Sequence, residues 1–170
     1  MRFLVISDIH DNLVNLEKCV NWGRGQGIEN AICCGDVVNS ETLEYLSKNF
    51  KVIYLVRGNM EIYGEAEINK YKNINYLGKF GVFEVNGKII GLCHEPWFIK
   101  KVLEIKAPTL QLGQACDIIF YGHTHEPWIS EKDGPLTVNP GTLGGVFNKA
   151  SFAVWDSLSG KLELKILELL

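Results

Sequence analysis

The residues of this sequence that could carry chemistry lie where apolar runs end. The chain has four histidines, and each of them stands at the end of a predicted strand. Two aspartates and one asparagine occupy the same kind of position. The complete set of candidate functional residues consists of Asp8, His10, Asp36, Asn59, His94, His123 and His125.

The chemical nature of these seven side chains indicates a metal site. Imidazole nitrogens combined with carboxylate and amide oxygens suit divalent cations such as Mn, Fe, Co, Ni or Zn. No cysteine belongs to the set, which argues against a sulphur-rich structural zinc site. Seven ligands are more than one ion with an open coordination position needs. Two ions that share one bridging carboxylate would use all of them.

The first of these positions follows an apolar run over residues 3–6, which predicts a strand buried on both faces. On an extended backbone Asp8 and His10 would point the same way, because side chains alternate with a period of two. The pair alone also fits an N-cap aspartate followed by a surface histidine. Asp36 and Asn59 follow the next two predicted strands, and three strand ends in phase favour a shared site at one sheet edge.

The elements that must position these residues change character halfway along the chain. Three strand–helix passages in the first half favour a parallel sheet with right-handed crossovers, whereas three hairpins make the second half mostly antiparallel. The predicted strands are residues 3–6, 31–34, 51–56, 80–85, 88–93, 117–121, 128–131, 136–138, 152–156 and 161–167. The predicted helices are residues 13–22 after Asn12, residues 40–49 capped by Ser40, and residues 96–106.

Three local signals complete the secondary-structure prediction. Glycines 23, 25 and 27 predict the end of the first helix and a loop rather than a dinucleotide motif. The polar stretch over residues 61–79 predicts a helix fragment and a loop beside the site. The turns of the three hairpins are Asn86-Gly87, Asp133-Gly134 and Ser159-Gly160.

Length, charge and cysteine content limit the kinds of protein that this chain can be. A length of 170 residues fits one domain over residues 1–170, and a net charge of −3 gives no reason to expect nucleic acid. No apolar run approaches the ~18 residues that a membrane helix needs, and no secretion signal is visible. The five cysteines include Cys33, Cys34 and Cys93 inside apolar runs, which suits free thiols in a reducing compartment. We therefore expect a cytoplasmic protein.

Several motifs together resemble the calcineurin-like metallophosphoesterases, and in particular their small single-domain phosphodiesterase subfamily. The resemblance runs from residue 3 to about residue 157 of the chain. Single motifs of this kind are weak, but five in register are specific. The motifs are Ser7-Asp8-Ile9-His10, Gly35-Asp36, Arg57-Gly58-Asn59, His94 and Gly122-His123-x-His125, with Asn139-Pro140-Gly141-Thr142 as a further mark of the subfamily.

The resemblance implies an α/β fold in which two mixed β-sheets flanked by helices form a four-layer α/β/β/α sandwich. It also implies two divalent ions, Mn or Ni first and Fe, Co or Zn as alternatives. Asp8, His10, Asp36 and His125 would hold one ion, and Asp36, Asn59, His94 and His123 the other, with Asp36 bridging. The implied reaction is hydrolysis of a small phosphodiester through attack by a metal-bridging hydroxide. The resemblance also suggests a dimer or larger homo-oligomer.

Individual roles around the metals follow from the chemistry of the side chains. Asn59 is the candidate catalytic residue, because its oxygen suits a metal and its amide suits a phosphoryl oxygen. Arg57 either contacts substrate phosphate or pairs with Glu61 at the surface. The aromatic residues Trp97, Trp128 and Tyr63 either stack on a nucleobase or pack against neighbouring apolar runs.

Three positions depart from the family pattern. Met60 stands where many members have a proton-donating histidine, so the sequence predicts poor hydrolysis of esters with basic leaving groups. Asp11 and Glu95 each stand where glycine is common; for Asp11 we expect a first-turn carboxylate rather than a partner of the metal ligands.

Other functions within the same fold remain as alternatives. A non-catalytic, protein-binding scaffold similar to the retromer subunit should show gaps among the metal ligands, and a phosphomonoesterase is disfavoured by Met60. A repair nuclease of this superfamily would need a longer and more basic chain. All seven ligand positions are filled here, which favours an enzyme.

Overall fold

The computed structural model describes residues 1–105, 116–132 and 134–170. Within these residues the chain forms two β-sheets and four α-helices. The elements in chain order are β1 (Arg2–Ile6), α1 (Leu13–Gly25), β2 (Asn30–Cys33), α2 (Ser40–Asn49), β3 (Val52–Leu55), α3 (Glu65–Ile68), β4 (Ile74–Tyr76), β5 (Phe80–Val85), β6 (Lys88–Cys93), α4 (Ile99–Leu103), β7 (Ile118–Phe120), β8 (Trp128–Ser130), β9 (Leu136–Asn139), β10 (Ser151–Asp156) and β11 (Leu162–Ile166). Short 3-10 turns cover Pro96–Phe98 and Leu167–Leu169.

Both sheets are mixed, and each has a parallel centre. The first sheet has the strand order β11-β10-β1-β2-β3-β4, in which β1 to β4 run parallel. The second has the order β5-β6-β7-β9-β8, in which β6, β7 and β9 run parallel. Because parallel strands end at a common edge, the residues after β1, β2 and β3 meet there, as do those after β6 and β7.

Three apolar layers show how the sheets and helices stack. One face of β1 contributes Leu4 and Ile6 to a core shared with α1 and α2. The other face contributes Phe3 and Val5 to a core between the two sheets. A smaller core lies under α4 on the outer face of the second sheet, around Val102. These layers confirm the predicted four-layer α/β/β/α sandwich, because every sheet face is covered.

The first two helices each differ from the prediction in one feature. Asn12 caps α1 by accepting the backbone N–H of Asn15 at 3.1 Å, but the helix continues past Trp22 to Gly25. Gly23 packs closely against Leu4, and a Cβ atom at this position would collide with the leucine side chain. Close packing therefore explains why a glycine lies inside the helix. In α2 the cap is Asn39 rather than Ser40, since its side-chain oxygen accepts two backbone N–H groups.

The polar stretch after Asn59 holds more structure than its sequence predicts. It forms the short helix α3 and also β4, a three-residue strand at the edge of the first sheet. The hairpin strands β5 and β6 coincide with the prediction, and the remaining strand boundaries shift by one or two residues. The predicted helix over residues 96–106 is a 3-10 turn followed by α4; Lys106 and the turn residue Asp133 lie outside the described residues. No helix in the described ranges combines the length and apolar character that crossing a membrane requires.

All five cysteines are buried free thiols, as the apolar runs around Cys33, Cys34 and Cys93 predict for those three. Burial raises the pKa of Cys33 and of Cys93 to about 12, and raises the pKa of Cys34 well above its ordinary value. The thiolate is the reactive form of cysteine, so the folded protein should present no reactive thiol.

We therefore expect the native protein to resist a thiol reagent such as 5,5′-dithiobis(2-nitrobenzoic acid), and all five cysteines to react once the chain is unfolded in guanidinium. The reaction followed by absorbance, with and without denaturant, measures this difference. A thiol that reacts within seconds in the native protein would contradict the buried placement.

Candidate metal centre

The backbone turns sharply at most of the candidate ligands. Five of the seven residues adopt left-handed conformations: φ is 52° at Asp8, 47° at His10, 54° at Asp36, 69° at His123 and 60° at His125. Non-glycine residues rarely adopt this region, which costs about 1 kcal/mol or more each. The predicted convergence of Asp8 and His10 therefore holds, but it comes from left-handed turns and not from an extended backbone.

One half of the centre gathers Asp8, His10 and His125. Asp8 Oδ1 lies 3.1 Å from His125 Nε2 and 3.8 Å from His10 Nε2. The two imidazole nitrogens approach each other to 3.2 Å. Their atoms are close enough to bind one metal ion together.

The other half gathers Asp36, Asn59, His94 and His123. Asp36 Oδ2 lies 3.3 Å from His94 Nε2. Asn59 Oδ1 lies 3.0 Å from His94 Nε2 and 2.9 Å from His123 Nδ1, so this oxygen faces both imidazoles. Asp36, His94 and His123 are wholly or partly buried, whereas the Asn59 side chain is exposed. The open side of the centre is therefore the side of Asn59.

Two carboxylates connect the halves. Asp36 Oδ2 reaches His10 Nε2 at 3.8 Å as well as His94, and Asp8 Oδ1 reaches His94 Nε2 at 4.0 Å as well as His125. Asp8 Oδ1 is fully buried and has no hydrogen-bond partner among the described residues, despite its closeness to imidazole nitrogens. A buried carboxylate oxygen without a donor is costly, and a cation between the oxygen and the imidazoles would satisfy it. The residues present thus fit divalent metal ions.

Hydrogen bonds behind the ligands fix the imidazole orientation. Nδ1 of His94 donates to the carbonyl of Cys34 at 2.8 Å, and Nδ1 of His125 donates to the carbonyl of Val146 at 3.0 Å. Because Nδ1 carries the proton in both rings, the lone pair of Nε2 is directed into the centre. This arrangement is typical of metal-binding histidines.

Opposing effects set the pKa values of Asp36 and His94. Burial raises the pKa of the carboxyl, but the interaction with His94 and the backbone N–H of Met60 lower it below its ordinary value overall. Burial likewise lowers the pKa of His94, whereas Asp36 and Asp8 raise it to about 9 overall. The centre thus attracts positive charge strongly, and cations compete there with protons.

The Asn139-Pro140-Gly141-Thr142 turn supports the centre through hydrogen bonds to the segments that carry the candidate ligands. The Asn139 amide donates to the carbonyl of Gly122 and to Thr124 Oγ1, both at 2.9 Å, and so fixes the loop that carries His123. Thr142 Oγ1 donates to the carbonyl of Asp8 at 3.0 Å. The motif noted in the sequence therefore positions ligands without being one.

Two residues singled out in the sequence have contacts different from those expected. The Arg57 guanidinium donates to the backbone carbonyls of Glu61 and Tyr63, so it holds this loop instead of pairing with the Glu61 carboxylate. The carboxylate of Asp11 accepts from Asn39 N at 3.1 Å and Thr42 Oγ1 at 2.7 Å, which links it to the start of α2 rather than to its own helix. A phosphate contact by Arg57 stays a prediction.

The aromatic residues considered for stacking have different surroundings in the structure. Tyr63 is buried in the core, as its packing alternative predicts, and Trp128 is an exposed residue of β8. Trp97 lies edge-on to His123, with ring centroids 5.0 Å apart. Phe147, which the sequence analysis missed, lies 5.6 Å from the ring of His125. Its loop has no periodic pattern that could have indicated it.

The sequence matches the model of a known protein family over most of its length. Two mixed sheets with a histidine- and aspartate-rich centre at their common edge define a metallophosphoesterase-like architecture. The model of the calcineurin-like phosphoesterase superfamily domain matches residues 1–159, and the chain belongs to this family. Family membership supports hydrolase activity with divalent metals on a phosphate ester.

Curated relatives carry two kinds of name. A probable metallophosphoesterase of Methanocaldococcus jannaschii is 31% identical over 140 residues, which cover 81% of this chain and 66% of the relative, just under two thirds of its length. A phosphodiesterase of the same organism is 27% identical over 148 residues, covering 85% of this chain and 86% of the relative. The vacuolar protein sorting-associated protein 29 of Schizosaccharomyces pombe is 30% identical over 151 residues, covering 87% and 75%.

Solved structures show the same fold. The structure of an archaeal phosphodiesterase superimposes with a TM-score of 0.81 at 22% identity, covering 98% of this chain and 99% of that chain. The likeness confirms the metallo-dependent phosphatase-like architecture.

The close approach of two strand ends gives a test of how rigidly the centre is held. A Cβ atom on Gly58 would overlap the carboxylate and the backbone nitrogen of Asp36. We expect Gly58→Ala to push Asp36 away, to lower the metal content of the protein, and to destabilise it by about 1–3 kcal/mol. Elemental analysis and thermal unfolding measure the two effects.

Gly25→Ala is the matched control, because a Cβ at the end of α1 meets no atom within 4 Å. It should keep the full metal content and the stability of the natural protein. Full metal content and unchanged unfolding of Gly58→Ala would show that Asp36 is not held as the structure indicates.

Proposed function

We propose that this chain is a single-domain phosphodiesterase that needs two divalent metal ions and hydrolyses a small phosphodiester. The observation that carries the proposal is the convergence of all seven candidate side chains, with Asp8 and Asp36 between two groups of imidazoles. The relative named a phosphodiesterase supports this reaction type.

We assign four ligands to each ion. Asp8, His10, Asp36 and His125 hold one, and Asp36, Asn59, His94 and His123 hold the other. The position of Asp36 Oδ2 between His10 and His94 supports a bridging role. The nitrogen- and oxygen-rich ligand set suits manganese or nickel, with iron, cobalt or zinc as alternatives. When bound, such ions neutralise the charge of the phosphoryl oxygens and lower the pKa of a bound water.

The exposed side chain of Asn59 has the right position to meet the substrate. Its oxygen is turned towards His94 and His123, which leaves the amide N–H groups for a phosphoryl oxygen. A donor aimed at charge that develops in the transition state contributes mainly to turnover. The next residue supports the site through its backbone, because the N–H of Met60 donates to Asp36 Oδ1 at 2.9 Å.

The side chain of Met60 limits the leaving groups that the site can serve. A thioether has no proton to donate, so a basic alkoxide would leave without assistance from this position. Activated aryl diesters, whose leaving groups are stable as anions, need no such donor. We therefore expect activated aryl diesters to be good substrates and simple alkyl monoesters poor ones.

A non-catalytic scaffold is the second candidate, because vacuolar protein sorting-associated protein 29 is about as similar to this chain as the enzymes are. The complete ligand set supports the enzyme. Metal binding alone does not separate the two, since a scaffold can also keep metals, so turnover must decide.

The proposal predicts that the metal-loaded protein hydrolyses bis(4-nitrophenyl) phosphate at least about tenfold faster than 4-nitrophenyl phosphate, measured as kcat/KM from nitrophenolate release. Chelation should abolish the reaction, and added manganese or nickel should restore it. Asp36→Asn removes the bridging charge and should lose both metal and activity, which excludes a contaminating enzyme. A faster monoester reaction would indicate a phosphomonoesterase, and no turnover of either ester would favour the scaffold.

A second prediction concerns Asn59. Asn59→Ala should lower kcat by about 100-fold or more, the size of effect seen when one transition-state donor is removed. Bound metal should fall much less, because three further ligands remain at that ion. Turnover is compared at saturating metal, with metal content measured in parallel.

Asn69→Ala, an exposed asparagine at the end of α3, is the control and should behave like the natural protein. If Asn59→Ala keeps full turnover when saturated with metal, the catalytic assignment of Asn59 is wrong.

A further inference from the structure

Two exposed aromatic rings flank the centre on different halves. Trp97 is 59% exposed and its ring lies 5.0 Å from that of His123. Phe147 is 92% exposed and its ring lies 5.6 Å from that of His125. Exposed apolar surface rimmed by polar residues is a mark of interaction sites and ligand-binding grooves.

The conformation of Phe147 strengthens this point. Its φ is 65°, in the left-handed region that a bulky residue avoids. Phe147 thus has an exposed ring on a strained backbone, and the ring lies against that of His125. Strain retained beside a site is a reason to look for a role in that site.

Trp97 is placed by a short, defined turn. The carbonyl of Glu95 accepts the N–H of Phe98, which closes the 3-10 turn over Pro96–Phe98 directly after His94. The stacked pair of Phe80 and Phe98 anchors this turn to the second sheet. Trp97 is therefore held next to His123 by a packed neighbour and is not a freely moving surface residue.

We infer that Trp97 and Phe147 bind an aromatic substituent of the phosphodiester, so the substrate class is a diester carrying at least one aromatic ring. This inference rests on the proposed phosphodiesterase function. Each ring lies beside an imidazole of the centre, that of Trp97 5.0 Å from the ring of His123 and that of Phe147 5.6 Å from the ring of His125. A phosphate ester bound at the centre would therefore have an aromatic surface next to either half.

The geometry favours a small aromatic group over a protein partner. Each ring contacts a histidine of the centre itself, so a ligand that touches either ring would also lie close to the metal site. Apolar burial and offset or edge-to-face packing would retain an aromatic substituent.

The test uses two diesters with the same leaving group. Phenyl 4-nitrophenyl phosphate and methyl 4-nitrophenyl phosphate differ only in the substituent that is retained. For the natural, metal-loaded protein we expect kcat/KM to be about tenfold higher for the phenyl ester, because only that ester buries a second ring. The ratio of the two values cancels any general effect of a substitution on the metals.

Trp97→Ala combined with Phe147→Gly removes both rings, and the glycine suits the left-handed backbone at position 147. We expect the phenyl-to-methyl ratio to fall to about 2 or less, as it would for a site without aromatic contacts. Trp97→Phe, which keeps a ring, should retain most of the preference. Leu158→Ala is the control, because Leu158 is 75% exposed and follows β10 at the sheet edge opposite the centre.

A binding measurement keeps this inference separable from the proposed activity. Calorimetry on the metal-loaded protein compares phenyl phosphate with methyl phosphate, and the same preference and the same loss in the double variant are expected. If neither diester is hydrolysed, the phosphodiesterase proposal fails while the affinity ratio still decides the role of the rings. An unchanged preference in the double variant, or no preference in the natural protein, overturns the inference and leaves the rings as a surface for a protein partner.

Discussion

Two buried carboxylates face each other at the point where the sheets of this protein meet. Asp8 and Asp36 offer oxygens within 4.8 Å of each other and of His94. Like charges in a buried setting repel strongly and are expensive to desolvate. The imidazoles around them offer partial compensation, visible in the raised pKa of His94 and the lowered pKa of Asp36. A divalent cation bound between the carboxylates would offset their repulsion, so this charge balance is the condition for every role proposed for the site.

The fold supplies the means to hold these charges together. Parallel strands deliver Asp8, Asp36 and Asn59 to the edge of one sheet, and the second sheet delivers His94 and His123 to the same place. Left-handed backbone conformations then turn Asp8, Asp36 and His123 out of the strand direction. Three backbone carbonyls add support. Those of Cys34 and Val146 orient two imidazoles, and that of Asp8 accepts a hydrogen bond from Thr142.

Local sequence signals were sufficient where local physics decides the outcome. The Asn86-Gly87 turn has φ values of 53° and 75°, and the strands on either side coincide with the predicted hairpin. The strand-end positions of the seven candidate ligands followed from apolar run lengths alone. By contrast, β4 is three residues at a sheet edge with little apolar pattern, and α1 passes its first glycine because Gly23 packs closely against Leu4. Phe147 was missed because its loop is fixed by distant contacts, from Asn12 to Gly144 and from Asn15 to Leu143.

The strain at the centre bears on what the site binds. Five non-glycine residues in left-handed conformations, together with a buried carboxylate oxygen that lacks a hydrogen bond in the described chain, all reduce stability. A surface without a metal site needs none of these features and would be more stable without them. A centre that gathers side chains around divalent cations does need them, because the side chains have to project from strand ends into one small volume. The strain therefore indicates metal binding, and the choice between an enzyme and a scaffold rests on turnover.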